Sequence, residues 1–392
     1  MQIAFYAPLK PSGDATSTDN RNAARFLMDA LARAGHAVEL VSTFRSYEDE
    51  GDLDRQAALR DAGVALAQRL VAQWRSGKRA ARPEMWFTHH VYYKAPDWLG
   101  PLVSAELGLP YVIAEASHAP KRAGGRWSIG HDAAADAIRH ADLVLCPTRH
   151  DVICVEPLVF NRARVVRLPP FLDPAPFRDA AAMREAHRKA LAATHRLDPG
   201  VPWIMVASMM RPGDKVASYQ ALAAALASLS DLPWRLVVAG DGPARTEIET
   251  AIDAALPGRA CFLGKLAPAD LAPVYAASDL YVWPAINETY GRAMLEAQAA
   301  GTAVVSCALR GVPDSVAEGK TGVRAPPGNA EALAQVVRTL LLEPSRRAAM
   351  GRAAMAFIGE ERSVDAAAIR LGRALAQVFG GPGSAPAAAM RR

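Results

Sequence analysis

Only four of the 392 residues are cysteine: Cys146, Cys154, Cys261 and Cys307. Their spacing is too wide for a zinc motif or a dense disulfide framework, and each sits in an apolar run, which reads as a buried thiol. No apolar run reaches the length that spans a bilayer. The opening MQIAFYAPLK lacks the charged, then apolar, then cleavable order of a secretory signal, so a cytoplasmic protein is expected. The net charge of +5 is too small to argue for nucleic acid, and no aromatic–basic motif accompanies it. A mild basic excess still suits anionic small molecules such as nucleotide diphosphates. One mixed apolar and basic segment, LVAQWRSGKRAARPEMW, suits peripheral contact with the inner face of a membrane, though a solvated helix end and basic turn fit it better.

With 51% hydrophobic and 22% charged residues the chain folds as a globule, and its length exceeds what one core usually supports. Two domains are therefore expected. In the first half a strand at Gln2 to Tyr6 precedes a polar loop. A helix follows, with Ala24, Leu27, Met28 and Leu31 on one face, then a second strand in AGHAVELVS. This βαβ opening implies a parallel sheet, extended by strands at Met85 to Thr88, Tyr111 to Ala114 and Leu143 to Pro147. The second half repeats the scheme with WIMVAS, WRLVVAGDGP, ACFLGKL, LYVWP and TAVVSCA as strands and a helix over Ala217 to Leu229. The expected organisation is an α/β protein. A first Rossmann-like domain covers 1–175, and a second covers 200–362 after a hinge near Pro174 to Gly200. A C-terminal helix at 363–380 packs back on the first domain, and a disordered tail at 381–392 closes the chain. In open sheets of this kind ligands bind at the carboxyl ends of the strands.

The most informative stretch is WPAINETYGRAMLEAQAAGTAVVS, Trp283 to Ser306. It reads strand, loop, helix, glycine stop, strand. Glu288 lies in the loop and Glu296 in the helix, whose side chains lean toward its N-terminus. Gly291 lets backbone N–H groups approach a ligand at the helix start, where free amides and the helix dipole favour an anion. The result is a phosphate cradle flanked by two carboxylates that accept hydroxyl hydrogen bonds. Arg211 and Lys215, in SMMRPGDKVAS, add two cations suited to a diphosphate.

This pattern resembles the Glu-x7-Glu signature of the retaining family 4 glycosyltransferases (glycosyl transferases group 1). That family has the GT-B fold of two facing Rossmann-like domains with a cleft between them. The resemblance covers nearly the whole chain and is strongest over 200–345. It implies that Glu288 contacts the donor sugar and Glu296 the ribose hydroxyls, with Tyr290, Gly291 and Arg292 meeting the diphosphate or sugar. It implies that Arg211 and Lys215 hold the leaving diphosphate; three residues separate them, where the family more often has four. Gly240 and Gly242, in VVAGDGPAR, resemble the family's glycine turn, and Lys265 and Leu266 the segment that reads the base. In the first half Gly13 matches the family's glycine loop, and His118 matches a histidine close to the sugar. Glu115 and Lys121 flank His118, and His89 and His90 end a neighbouring strand. The aromatic HHVYYKAPDW suits either an acceptor pocket or a core.

The expected activity is transfer of a sugar from a nucleotide-diphosphate sugar to an acceptor hydroxyl with retention, in glycan or polysaccharide synthesis. No metal and no cofactor beyond the donor is expected. The acceptor is a glycan, a lipid-linked molecule or a small molecule. A nucleotide-sugar epimerase of the same architecture and a non-catalytic nucleotide-sugar-binding protein stay open as alternatives. A dehydrogenase fits less well, since no complete Gly-x-Gly-x-x-Gly follows the first strand.

Overall fold

The strands are apolar along their length rather than alternating, as parallel strands covered by helices on both faces must be. A computed structural model of the protein describes residues 1–9, 19–79 and 81–380; the tail expected at 381–392 lies outside them. The first sheet contains β1 (Gln2–Tyr6), β2 (Ala37–Ser42), β3 (Met85–Val91), β4 (Tyr111–Ala116), β5 (Leu143–Cys146) and β6 (Val165–Arg167). The second contains β7 (Trp203–Ala207), β8 (Arg235–Ala239), β9 (Ala260–Gly264), β10 (Leu280–Trp283), β11 (Ala303–Cys307) and β12 (Gly322–Ala325). Their orders are β2-β1-β3-β4-β5-β6 and β12-β11-β10-β7-β8-β9. Every pairing within these sheets is parallel.

The chain divides into two units, residues 1–169 with 364–392, and 170–363. The helix Val364–Phe379 therefore belongs to the first unit, where it packs along the helix Asp19–Arg33. The segment expected as a hinge forms two helices, Ala175–Ala182 and Arg184–His195, which pack on the helix Pro268–Ala277 of the second unit. The edge strands β6 and β12 were not foreseen. Both are short, and each carries an arginine, so neither stands out as an apolar run.

One device recurs in both units. The segments ADLVLCP and SDLYVWP each enter a fully buried strand, β5 and β10, through an aspartate. Asp142 accepts from the Tyr111 amide at 2.9 Å, and Asp279 from the Trp203 amide at 2.8 Å. In return the amides of Asp142 and Asp279 donate to the carbonyls of Tyr111 and Trp203. Each aspartate thus clamps the start of a neighbouring strand and sets its register.

Asp279 does more. Its carboxylate also receives Arg184 and Arg188, each at 2.9 Å, and Arg188 donates to the carbonyls of Pro199, Val201 and Ala277 while lying over the Trp203 ring. Arg347 approaches the same carboxylate at 3.6 Å. This ties the helix Arg184–His195 to the base of the second sheet. Removing one member of a buried ion cluster leaves the others unpaired. Asp279→Ala is therefore expected to destabilise the second unit by about 3 kcal/mol, read as a shift in the urea midpoint. A loss below about 1 kcal/mol, the level of an exposed pair, would show that the cluster does not hold these elements.

Candidate functional site

In the second sheet the chain runs from β7 outward through β8 to β9, then returns to start β10 on the other side of β7. The switch point lies between β7 and β10, and the loops that follow those two strands diverge there. These loops carry Arg211 and Glu288, and the first of them leads into the helix that carries Lys215.

The helix after β7 starts earlier than expected, at Asp214, so Lys215 sits in its first turn rather than in the loop before it. Gly213 caps it at φ 84 without a side-chain hydrogen bond. A lysine in a helical first turn opposes the helix dipole. The offset comes from Glu288, whose Oε2 accepts from Lys215 Nζ at 2.6 Å; the two side chains are 20% and 13% exposed. Trp283 supports both: its ring lies 5.4 Å from Lys215 Nζ, and its Nε1 approaches Glu288 at 3.4 Å. Arg211 lies in the preceding loop, exposed, with no ion pair or hydrogen bond among the described residues.

Glu288 is presented by a constrained loop. Ala285 and Asn287 take left-handed backbone, at φ 61 and 58, and neither is glycine. Asn287 donates to Asp214, and the Ile286 amide donates to Ser218 Oγ. Both contacts reach the helix that carries Lys215, so the two halves of the ion pair are held by the same pair of elements. Asn287, Asp214, Ser218 and Trp283 were missed as site-forming residues. The sequence signal was weak, because the contacts of Asn287 with Asp214 and of Ile286 with Ser218 join residues 73 and 68 positions apart.

The helix Arg292–Ala299 begins at Gly291, which stands at φ 68 and has no side chain to cap the first-turn amides. The Tyr290 carbonyl accepts from Ser315 Oγ, which fixes the entry to this helix. Glu296 accepts from Arg292 Nε at 3.0 Å and from the Tyr275 hydroxyl at 3.1 Å. Tyr281 is fully buried in β10, the strand that precedes the Glu288 loop. Its hydroxyl is pushed well above the ordinary range, first by burial, then by the charges of Glu288, Tyr219 and Glu296.

Gly240 and Gly242 follow β8, and packing explains them directly. A Cβ on Gly240 would stand 2.0 Å from the Ser208 carbonyl, and one on Gly242 2.3 Å from that of Met210. The amides of Ser208 and Met210 donate across this contact to the carbonyls of Ala239 and Asp241. The turn thus braces the loop that leads to Arg211 and Lys215. After β9, Lys265 is exposed and Leu266 is half-buried against the core of the second unit.

In the first unit the strand β3 runs through His89 and His90 to Val91, further than expected. Glu115, inside β4, lies between the two imidazoles: 3.4 Å from His89 Nε2 and 3.2 Å from His90 Nδ1. Burial raises its pKa, but the two histidines outweigh that and hold the carboxyl well below the usual carboxylate range. His118 follows β4 and packs on His131 with ring centroids 4.9 Å apart. Lys121 is exposed. The HHVYYKAPDW segment divides in function. Its aspartate, Asp97, is buried and accepts from Thr88, Tyr111 and the amides of Leu99 and Gly100, so this end of the segment is core. Gly13 lies outside the described residues.

Residues 210–357 match the model of the family described as glycosyl transferases group 1. A D-inositol 3-phosphate glycosyltransferase of Rhodococcus opacus is 33% identical over 183 residues, 45% of this chain and 41% of the relative. The chain spans less than half the length of the curated relatives it matches. Among solved structures, a glycosyltransferase of Rickettsia africae aligns over 97% of this chain and 99% of its own, at 14% identity and a TM-score of 0.72. The HepE protein of Anabaena, in complex with UDP, aligns over 96% and 100% at 16% identity with a TM-score of 0.70.

Two expectations follow. Gly240→Ala forces backbone against backbone and is expected to cost about 2 kcal/mol, whereas Gly359→Ala, with open space around it, raises stability by a few tenths to about 1 kcal/mol. Equal melting temperatures for the two variants would refute the bracing role. For His118, burial first, then His131 and Arg139, lower the imidazole pKa below its ordinary 6.5. The folded chain takes up this proton at lower pH than the unfolded chain does. Stability from neutral His118 is thus intact above the ordinary value and lost as pH falls through it. His118→Gln should flatten the fall of stability as pH drops below the ordinary imidazole value; an unchanged slope in denaturant titrations would refute it.

Proposed function

We propose that the chain is a retaining glycosyltransferase that uses a nucleotide-diphosphate sugar: residues 210–357 match the glycosyl transferases group 1 model, and the fold is the GT-B fold of its solved neighbours. The observation that carries the proposal is the Lys215–Glu288 pair at the switch point of the second sheet, beside a helix start opened by Gly291.

A half-buried ammonium needs a counter-anion, and Glu288 supplies it in the protein alone. A diphosphate entering beside the Gly291 helix start competes for Lys215 with two negative groups, and first-turn amides add hydrogen bonds. Arg211, exposed in the adjoining loop, adds a second cation. Glu288, released from Lys215, then accepts from donor-sugar hydroxyls. Glu296, oriented by Arg292 and Tyr275, accepts from the ribose. Lys265 and Leu266 lie beyond the next strand, in reach of a base. The UDP bound by HepE supports a nucleotide as the ligand of this fold, and the donor here is assigned to the same class.

In the reaction, the bond from the anomeric carbon to the phosphate oxygen breaks as the acceptor oxygen bonds to the same face. The acceptor proton passes to the departing phosphate. Lys215 and Arg211 stabilise the charge that builds on that phosphate, so no metal is needed there. The acceptor is a glycan, a lipid-linked molecule or a small molecule that presents a hydroxyl.

Nucleotide binding tests this before any acceptor is known. A panel of nucleoside diphosphates and nucleotide sugars, in excess EDTA, should raise the melting temperature with one base preferred. Glu296→Ala should reduce that shift. Once an acceptor is found, Lys215→Ala should lower the rate by on the order of 10²–10³-fold, and Glu288→Gln should also lower it. No shift with any nucleotide, or near-normal transfer by Glu288→Gln, would overturn the assignment. Conversion of the donor sugar without an acceptor would instead identify an epimerase.

A further inference from the structure

Consecutive residues of a β-strand point to opposite faces of the sheet. His89 and His90 are consecutive in β3, yet both reach the same Glu115 carboxylate oxygen. The backbone explains how. His90 stands at φ 68, in the left-handed region, which turns its side chain out of the alternation. Glu115 stands at φ 62 and is its lateral neighbour, because the register pairs His89 with Ala114 and Val91 with Ala116. These are the only non-glycine residues inside strands with positive φ among the described residues. Such conformations are uncommon for residues with a Cβ and persist where the surroundings impose them, typically at functional sites. Two of them, side by side, bring three ligating groups together.

The arrangement has the dimensions of a metal site. His89 Nε2, His90 Nδ1 and a Glu115 oxygen all lie within 4.8 Å of one another. Ligands at about 2.0–2.2 Å from a tetrahedral zinc ion are about 3.4 Å apart, which matches the 3.4 and 3.2 Å separations from Glu115. Two imidazoles and one carboxylate form a donor set that suits zinc and other divalent first-row metals, not magnesium or calcium. His89 is only 3% exposed, while His90 and Glu115 are partly buried, so the set has one face open to water. The cluster also lies where β3 ends, beside the switch point between β1 and β3 in the first sheet.

We propose that His89, His90 and Glu115 bind one divalent transition-metal ion, with zinc the best fit, and leave a fourth position for water or another oxygen ligand. This site is built from residues of the first unit, whereas the proposed diphosphate site is built from residues of the second.

The test uses the full chain, stripped with chelator and titrated with zinc chloride against a chromophoric chelator. Wild type should bind one equivalent, and cobalt chloride should give the visible absorption of a four-coordinate ion. Second-sphere changes alone weaken metal sites 10–100-fold, so His90→Ala and Glu115→Gln should weaken binding by more than about 100-fold. His140→Ala, at an exposed histidine elsewhere in this unit, should not. Circular dichroism and melting in EDTA check folding; should His90→Ala fail to fold, the isosteric Glu115→Gln carries the test. Zinc binding that is absent in wild type, or equally tight in Glu115→Gln, overturns the proposal. Because nucleotide binding is measured in EDTA, failure of the metal site leaves the donor assignment untouched, and the reverse also holds.

Discussion

Parallel pairing governs this molecule. In a sheet whose strands all run the same way, every strand delivers its carboxyl end to one edge and every crossover returns beneath helices. The chemistry-bearing residues of both units come from loops or strand ends at that edge. Lys215 follows β7, Gly240 follows β8, Lys265 follows β9 and Glu288 follows β10; in the first unit His90 ends β3 and His118 follows β4. The aspartates Asp142 and Asp279 secure the opposite edge, where they clamp strand starts to one another. With one edge locked by these clamps, the other is left to loops that bind.

Within the second unit the proposed donor site is built by mutual constraint rather than by any single motif. Lys215 opposes a helix dipole, and Glu288 hangs from a loop with two left-handed residues. Each placement is unfavourable alone, and each is stabilised by the other and by Trp283, Asn287 and Ser218. The glycine turn after β8 contributes by having no side chain: it lets one loop rest on another's carbonyls. Sites held this way respond to a ligand that offers a better anion than the resident carboxylate.

The first unit shows the same economy with different groups. Asp97 is buried and fully engaged with Thr88, Tyr111 and two amides, so it stabilises the fold. Nearby in the same sheet, His90 and Glu115 adopt left-handed backbone, and the result is a cluster of ligating atoms. Proximity to the same sheet edge separates what these neighbouring residues do.

By itself the sequence determined the α/β class, ten of the twelve strands and the Glu288–Glu296 motif. Those features rest on local apolar runs, glycine and proline breaks, and spacing along one helix, all of which are written within a few residues. Tertiary structure decided the rest. The edge strands β6 and β12 form because a neighbour offers hydrogen bonds, not because their residues are apolar. Lys215 meets Glu288 across 73 positions, and Glu115 meets His90 across 25. Such pairings depend on strand order and backbone sign, and neither leaves a mark in the local pattern of residues.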